Sequence, residues 1–197
     1  MSVAGSDLVT PVLLMAMPQV QDPFFHRSVV LLLHHEDEGS FGFIVNRPTG
    51  IKISEILKGM EVGWQGQDEA VAYFGGPVHP QLGTVLFAPV LPGSFEEDTA
   101  TEVFPGIALT QHVGDLSRLA EAPPDQFRLL LGYAGWGEGQ LMEEILRNDW
   151  LTAPVSSDLI FAPDPEQVWD AALRSVGIDP ASLPSWVPGG NDEESAN

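Results

Sequence analysis

The stretch Ser28-Val-Val-Leu-Leu-Leu-His34 is the part of the sequence that decides the predicted fold. Its five consecutive apolar residues leave no polar face, which is typical of a strand buried on both sides of a sheet. The polar run that follows predicts a turn, where Gly39 can adopt a positive φ. Phe41-Gly-Phe-Ile-Val45 then predicts a second strand, which ends at Pro48 and Gly50. The two strands together predict an antiparallel hairpin.

Apolar runs and amphipathic segments alternate irregularly along the rest of the chain. The apolar runs predict strands at 7–17, 70–74, 82–87, 107–109, 127–131 and 159–161. Helical spacing predicts helices near 53–60, 113–119, 140–148 and 165–176. Because a hairpin accompanies segments without strict strand–helix alternation, we expect a mixed sheet. The predicted fold class is α+β, or an irregular α/β arrangement, rather than a doubly wound dinucleotide-binding domain.

The composition is acidic but compatible with a folded core. The chain has 197 residues, of which 28 are acidic and eight are basic, so the formal net charge is −20. A hydrophobic fraction of 44% disfavours intrinsic disorder. We predict one globular domain over residues 1–188, followed by a flexible acidic tail at 189–197. The basic residues form no run, which makes direct nucleic-acid binding an unfavourable interpretation.

Motifs of several reaction classes are missing from the sequence. Cysteine is absent, which excludes disulfides, thiol nucleophiles and cysteine-bound zinc. Walker A, nucleophile-elbow and HExxH patterns are absent as well. Adjacent His34 and His35 would point to opposite faces of a strand, which disfavours a shared metal. We therefore predict no catalytic motif, no metal site and no cofactor. No apolar run approaches the roughly 20 residues that cross a bilayer, so we expect a cytoplasmic protein.

The segment Gly132-Tyr-Ala-Gly-Trp-Gly-Glu-Gly139 predicts a glycine-rich turn between a strand and a helix. Backbone N–H groups at such a turn can hold an anion. However, Glu138, Glu143 and Glu144 lie at the start of the predicted helix and would repel a phosphate. Two interpretations stay open, a tight turn with Trp136 packed over it and a ligand site.

Five segments of the chain, taken in order, carry a recognisable pattern. They are Ala16-Met-Pro-Gln-Val-Gln-Asp-Pro-Phe-Phe-His-Arg-Ser-Val-Val30, His35…Gly39-Ser-Phe-Gly-Phe-Ile-Val-Asn-Arg-Pro48, Phe74-Gly-Gly-Pro-Val78, Leu131-Gly-Tyr-Ala-Gly-Trp136 and Gly139-Gln-Leu…Glu144…Asn148-Asp-Trp-Leu-Thr-Ala-Pro154. Together they resemble the AlgH/YqgE family of bacterial proteins. The resemblance implies a bent mixed sheet that forms a pseudo-barrel flanked by helices. Members of that family carry the label of transcriptional regulator, without an established biochemical activity.

Six residues beside the predicted turns are candidates for one shared binding surface: Asp22, Asn46, Gly76, Trp136, Gln140 and Glu144. Loops that leave neighbouring parallel strands emerge at one edge of a sheet, where such sheets place ligands. We therefore predict a non-enzymatic binding or regulatory protein that acts on gene expression indirectly, through an unidentified protein or small-molecule partner. The alternative is an enzyme of unknown, hydrolase-like chemistry that uses Asp22, His35 or Glu144 as acid or base.

Overall fold

The structure is a computed structural model that describes residues 8–90 and 99–185. The strands in this part of the chain are β1 (Val12–Ala16), β2 (Val29–Glu36), β3 (Gly39–Ile44), β4 (Pro48–Lys52), β5 (Val71–Phe74), β6 (Val78–Ala88), β7 (Ala100–Phe104), β8 (Ile107–Thr110), β9 (Gln126–Gly137) and β10 (Trp150–Ala153). The helices are α1 (Ile53–Gly59), α2 (Val113–Glu121), α3 (Gln140–Leu146), α4 (Ser157–Ile160) and α5 (Val168–Ser175).

The strands form one curled sheet with the neighbour order β10-β1-β2-β3-β9-β6-β8-β7. Every pair on this path is antiparallel. Strand β9 also pairs in parallel with β5, and β5 pairs antiparallel with β4. The result is a half-barrel accompanied by helices, so the predicted α+β class with a bent mixed sheet is confirmed.

Strand β2 confirms the prediction of a strand buried on both faces. Val29, Val30, Leu31 and Leu32 have no exposed surface. Val29 and Leu31 pack into one hydrophobic cluster, which also contains residues of α5, and Val30 and Leu32 pack into a second. Because side chains alternate along a strand, one strand supplies both clusters. Burial of each of these side chains contributes about 1.5–3 kcal/mol to folding.

The glycine-rich segment is not the turn that we predicted, because β9 extends through most of it to Gly137. The glycines allow two backbone segments to approach each other. A Cβ on Gly76 would lie 2.0 Å from the carbonyl carbon of Tyr133, and Gly132 adopts a φ of +71°. The turn is much shorter than predicted and ends at Gly139, whose φ of +70° leads into α3.

The strand predicted at 159–161 is wrong, since helix α4 ends at Ile160. Three apolar residues carry too little periodicity to distinguish a strand from a helical turn. Arg128 supports this helical turn by donating to the carbonyl oxygens of Ile160, at 3.3 Å, and Ala162, at 2.6 Å. Burial of the guanidinium lowers the pKa of Arg128.

Strands β4, β7 and β10 were not predicted. Helix α5 has the expected flanking residues, but it begins at Val168 rather than at residue 165, because Pro165–Gln167 forms a 3-10 turn. The Asp164 carboxylate accepts the N–H of Glu166 at 3.1 Å in a 3-10 turn before the helix, and Gly177 follows the helix with a φ of +82°. The predicted tail at 189–197 and most of the predicted loop at 89–98 lie outside the described residues. Among the helices of the described residues, none is long and apolar enough to cross a membrane.

Asp115 is a fully buried carboxylate in α2. Thr110 Oγ1 donates to it at 2.9 Å, and Arg118 forms an ion pair with it. Desolvation alone would raise the pKa of Asp115, but the hydrogen bonds from Thr99, Thr110 and Arg118 outweigh desolvation and hold this pKa below its usual range. The group therefore stabilises the fold in its charged form.

Candidate functional site

Four of the six candidate residues line one surface depression of about 320 Å³: Asp22, Trp136, Gln140 and Glu144. The end of β9 supplies the tryptophan, and the first turns of α3 supply the glutamine and the glutamate. The loop between β1 and β2 supplies the aspartate. Residues from three separate parts of the chain therefore meet at one place, beside the short turn that ends β9.

Glu144 fixes the aromatic side of this depression. Its Oε2 atom accepts the indole N–H of Trp136 at 2.9 Å and that of Trp150 at 2.8 Å. Its Oε1 atom accepts the side-chain amide of Gln140 at 2.9 Å. The Gln140 Oε1 atom in turn accepts the backbone N–H of Gly137 at 3.0 Å. Both carboxylate oxygens are therefore engaged, and helix α3 is tied to the end of β9.

Three aromatic rings pack beside this carboxylate. The Trp136 and Trp150 ring centroids lie 5.8 Å apart at an interplanar angle of 81°. Phe25 meets Trp150 edge-on at 5.8 Å. Edge-to-face packing of this kind favours fixed ring positions. The predicted site omitted Phe25 and Trp150, although both residues lie within the family-like segments and the tryptophan follows α3 closely.

Asp22 holds the loop on the other side of the depression. Its Oδ1 atom accepts the backbone N–H of Phe24 at 2.8 Å, which is the local turn bond expected of an aspartate before Pro23. At the rim, Arg147 pairs with Asp149 at 2.7 Å. This hydrogen bond raises the pKa of Arg147.

Asn46 and Gly76 do not line this depression. The Asn46 side chain accepts the N–H of Val29 at 2.9 Å and donates to the carbonyl oxygen of Arg27 at 3.0 Å, and it lines a separate cavity of about 460 Å³. Gly76 is buried against the backbone of Tyr133. The roles of Asn46 and Gly76 in the fold thus account for the residue types at these positions, and neither role requires a ligand.

The two adjacent histidines point apart, as predicted. His34 stacks on Phe41 with a centroid distance of 5.6 Å, and His35 Nδ1 lies 2.7 Å from Ser40 Oγ. His35 does not line the depression that contains Asp22 and Glu144. Within residues 8–90 and 99–185, no three metal-ligating side chains come together.

An aromatic groove of about 640 Å³ adjoins the depression across β9, and both are lined by Gly135 and Trp136. Phe41, Leu82 and Tyr133 also line this groove. Phe41 keeps 39% of its surface exposed and Leu82 keeps 37%. An α+β half-barrel therefore presents two adjoining concave surfaces on one part of its sheet, one polar and one aromatic.

Comparison with known proteins identifies the family. Residues 13–181 match the model of the AlgH-like family, DUF179. A UPF0301 protein of Myxococcus xanthus is 39% identical over 176 residues, which cover 89% of this chain and 94% of the relative. A UPF0301 protein of Hahella chejuensis is 41% identical over 168 residues, with coverage of 84% and 88%. The chain therefore belongs to the AlgH-like family.

Solved structures agree with this assignment. The solution structure of the AlgH protein from Pseudomonas aeruginosa superimposes with a TM-score of 0.71 at 30% identity, covering 91% of this chain and 94% of that one. Protein DIP2367 from Corynebacterium diphtheriae superimposes with a TM-score of 0.70, covering 87% and 88%, but at 23% identity it shows only the shared fold.

Proposed function

We propose that this protein is a cytoplasmic, non-enzymatic binding protein, which acts on gene expression indirectly through a protein partner. The observation that carries the proposal is the hydrogen bonding of Glu144. The carboxylate receives three donors, from Trp136, Trp150 and Gln140, so the protein itself occupies three of its roughly four acceptor positions. A general acid or base must exchange a proton with its substrate, whereas a recognition surface needs side chains that are held still.

The charge distribution supports a protein partner over nucleic acid. Four of the eight basic residues are neutralised by ion pairs shorter than 3.5 Å, namely Arg27, Lys52, Arg118 and Arg147. A net charge of −20 repels phosphates, and dispersed, paired bases release few counterions. Indirect regulation does not require a surface of unpaired basic residues, whereas binding to an operator would.

The exposed aromatic lining of the groove also favours a protein partner. The depression has a volume of about 320 Å³, and the adjoining aromatic groove has a volume of about 640 Å³. Aromatic side chains at the centre of an interface contribute more binding energy than most other residue types.

The lack of cysteine is consistent with a compartment where disulfides do not form.

Affinity capture with matched variants tests this proposal. Wild-type protein, Gln140→Ala and Gln67→Ala are immobilised at equal density, crosslinked in bacterial lysate, and compared by quantitative mass spectrometry. Gln67 is an exposed glutamine that does not line the depression. We expect proteins that are captured by wild type and Gln67→Ala and are depleted with Gln140→Ala. Equal capture by all three would contradict the proposed surface.

One observation favours the hydrolase-like alternative. The 2.7 Å contact between His35 Nδ1 and Ser40 Oγ has the length of a base–nucleophile hydrogen bond. Asp22 and Glu144 line the depression, whereas Ser40 lines the aromatic groove. Neither carboxylate therefore completes a triad with His35 and Ser40. A fluorophosphonate probe decides between the two functions. Labelling of wild type that disappears in Ser40→Ala and in His35→Asn would support an enzyme.

A further inference from the structure

The aromatic groove between β3, β6 and β9 has walls of three rings held nearly at right angles. Phe41 meets Phe43 at a centroid distance of 6.5 Å and an angle of 87°. It meets Tyr133 at 6.3 Å and 76°. His34 stacks on Phe41 at a centroid distance of 5.6 Å, and Phe41 still keeps 39% of its surface exposed. Part of an aromatic ring that can attract a cation is therefore open to the groove.

Four exposed carboxylates lie near the connection between β2 and β3, at the side of the groove where Glu38 lines it: Glu36, Asp37, Glu38 and Glu138. Glu36 is the last residue of β2, and Asp37 and Glu38 form the turn that follows. The register that pairs Gly39 with Gly137 brings Glu138 beside this turn. Among the described residues, the only ion-pair contact of these four carboxylates is that of Glu36 with His34, at 3.7 Å. The acidic rim of the groove is therefore not neutralised by the protein itself.

The charge of the chain argues against a second copy as the occupant of this groove. Two chains of net charge −20 would bring two acidic rims together, which costs electrostatic free energy. A basic partner would instead be steered toward the rim. The exposed Phe41 and Leu82 would bury apolar surface against such a partner.

We propose that the aromatic groove binds a basic segment of a partner protein, with an arginine or lysine side chain over Phe41 and Tyr133. Flanking basic residues of that segment pair with the carboxylates of Glu38 and Glu138. This inference rests on the proposed function as a binding protein and names the chemistry of the partner. It also explains why Phe41 stays exposed on a strand whose neighbouring residues, 42–45, are buried.

Selection from a random peptide library on the full-length protein tests the inference while the partner is still unidentified. The affinities of the enriched peptides are then measured by fluorescence anisotropy for wild type and five variants, one of which is the Gln140→Ala variant of the capture experiment. Phe41→Ala and Glu38→Lys alter the groove and its rim. Phe24→Ala and Glu55→Lys are matched controls, because Phe24 is a similarly exposed phenylalanine and Glu55 an exposed glutamate, both away from the groove.

We expect enriched peptides with several arginine or lysine residues. Their affinity should fall by roughly tenfold for Phe41→Ala, the scale of one cation–π contact, and the two controls should match wild type. Glu38→Lys, a surface change, should also weaken binding and reduce its salt dependence. Acidic or neutral peptides, no enrichment, or equal affinity for Phe41→Ala and Phe24→Ala would overturn the inference. Peptides that lose affinity only for Gln140→Ala would overturn it while leaving the proposed function intact.

Discussion

Removal of the Glu144 carboxylate is the perturbation whose cost the structure predicts most clearly. Trp136 and Trp150 are only 6% and 3% exposed, and the Glu144 carboxylate is the acceptor that satisfies both of their indole N–H groups. Each buried donor left without an acceptor costs about 1–3 kcal/mol. Glu144→Ala should therefore lower the free energy of unfolding by about 2–6 kcal/mol. Glu144→Gln keeps one oxygen, which can accept both indole N–H groups as Oε2 does, and loses the acceptor for Gln140. It should therefore cost clearly less than Glu144→Ala.

Urea denaturation followed by tryptophan fluorescence measures this cost. Glu143→Ala is the matched control, because Glu143 is an exposed glutamate on the same helix and has no side-chain hydrogen bond to the tryptophans. Its effect should stay within about 0.5 kcal/mol of wild type. If Glu144→Ala costs no more than Glu143→Ala, the carboxylate does not hold the two indoles, and the reasoning from their hydrogen bonds is refuted.

Three further predictions concern other parts of the molecule. Gly76→Ala should destabilise the protein by more than about 3 kcal/mol in thermal melts, because the added Cβ would lie 2.0 Å from backbone of Tyr133; a melt within a degree or two of wild type would contradict this. Asp115 has a lowered pKa in the folded state, so its stabilisation is complete above its unfolded pKa of about 3.9 and is lost as the pH falls through the lower, folded value. Asp115→Asn should therefore be less stable than wild type at pH 7, with a difference in urea midpoint that shrinks below about pH 4 and that should not be constant with pH. Wild-type protein should leave the anisotropy of a labelled DNA duplex unchanged at physiological salt, and micromolar binding with a steep salt slope would contradict the charge argument.

The sequence predicts those helices and strands that are determined by residues within a single short segment. The run of five apolar residues after Ser28 predicts β2, and the Asp164 cap with Gly177 predicts α5, because burial and capping act within a few residues. Strand β4 is not predicted from the local sequence, because it begins at Pro48 and proline is usually taken as the end of a strand. Among the strands in residues 8–90 and 99–185, β4 pairs only with β5, so the missing N–H of this proline breaks no second ladder.

The candidate site is predictable from the sequence only in part, since it depends on pairing between distant strands. Trp136 and Trp150 converge on Glu144 because β9 ends just before α3 and β10 begins just after it, and no local pattern records this. The same reason explains why the glycines of 132–139 predict a longer turn than the structure contains. Gly132 instead serves a close approach to Gly76, which lies more than fifty residues earlier in the sequence.

Hydrogen–deuterium exchange on the full-length protein, alone and with the partner captured by wild type, tests the proposed binding function most directly. We predict new protection in β3 and at residues 133–140, where the aromatic groove and the depression meet at Trp136. Exchange in α1 and α5, which line neither surface, should be unchanged. Protection confined to α1 or α5, with β3 and 133–140 exchanging as in the free protein, would contradict binding through this surface.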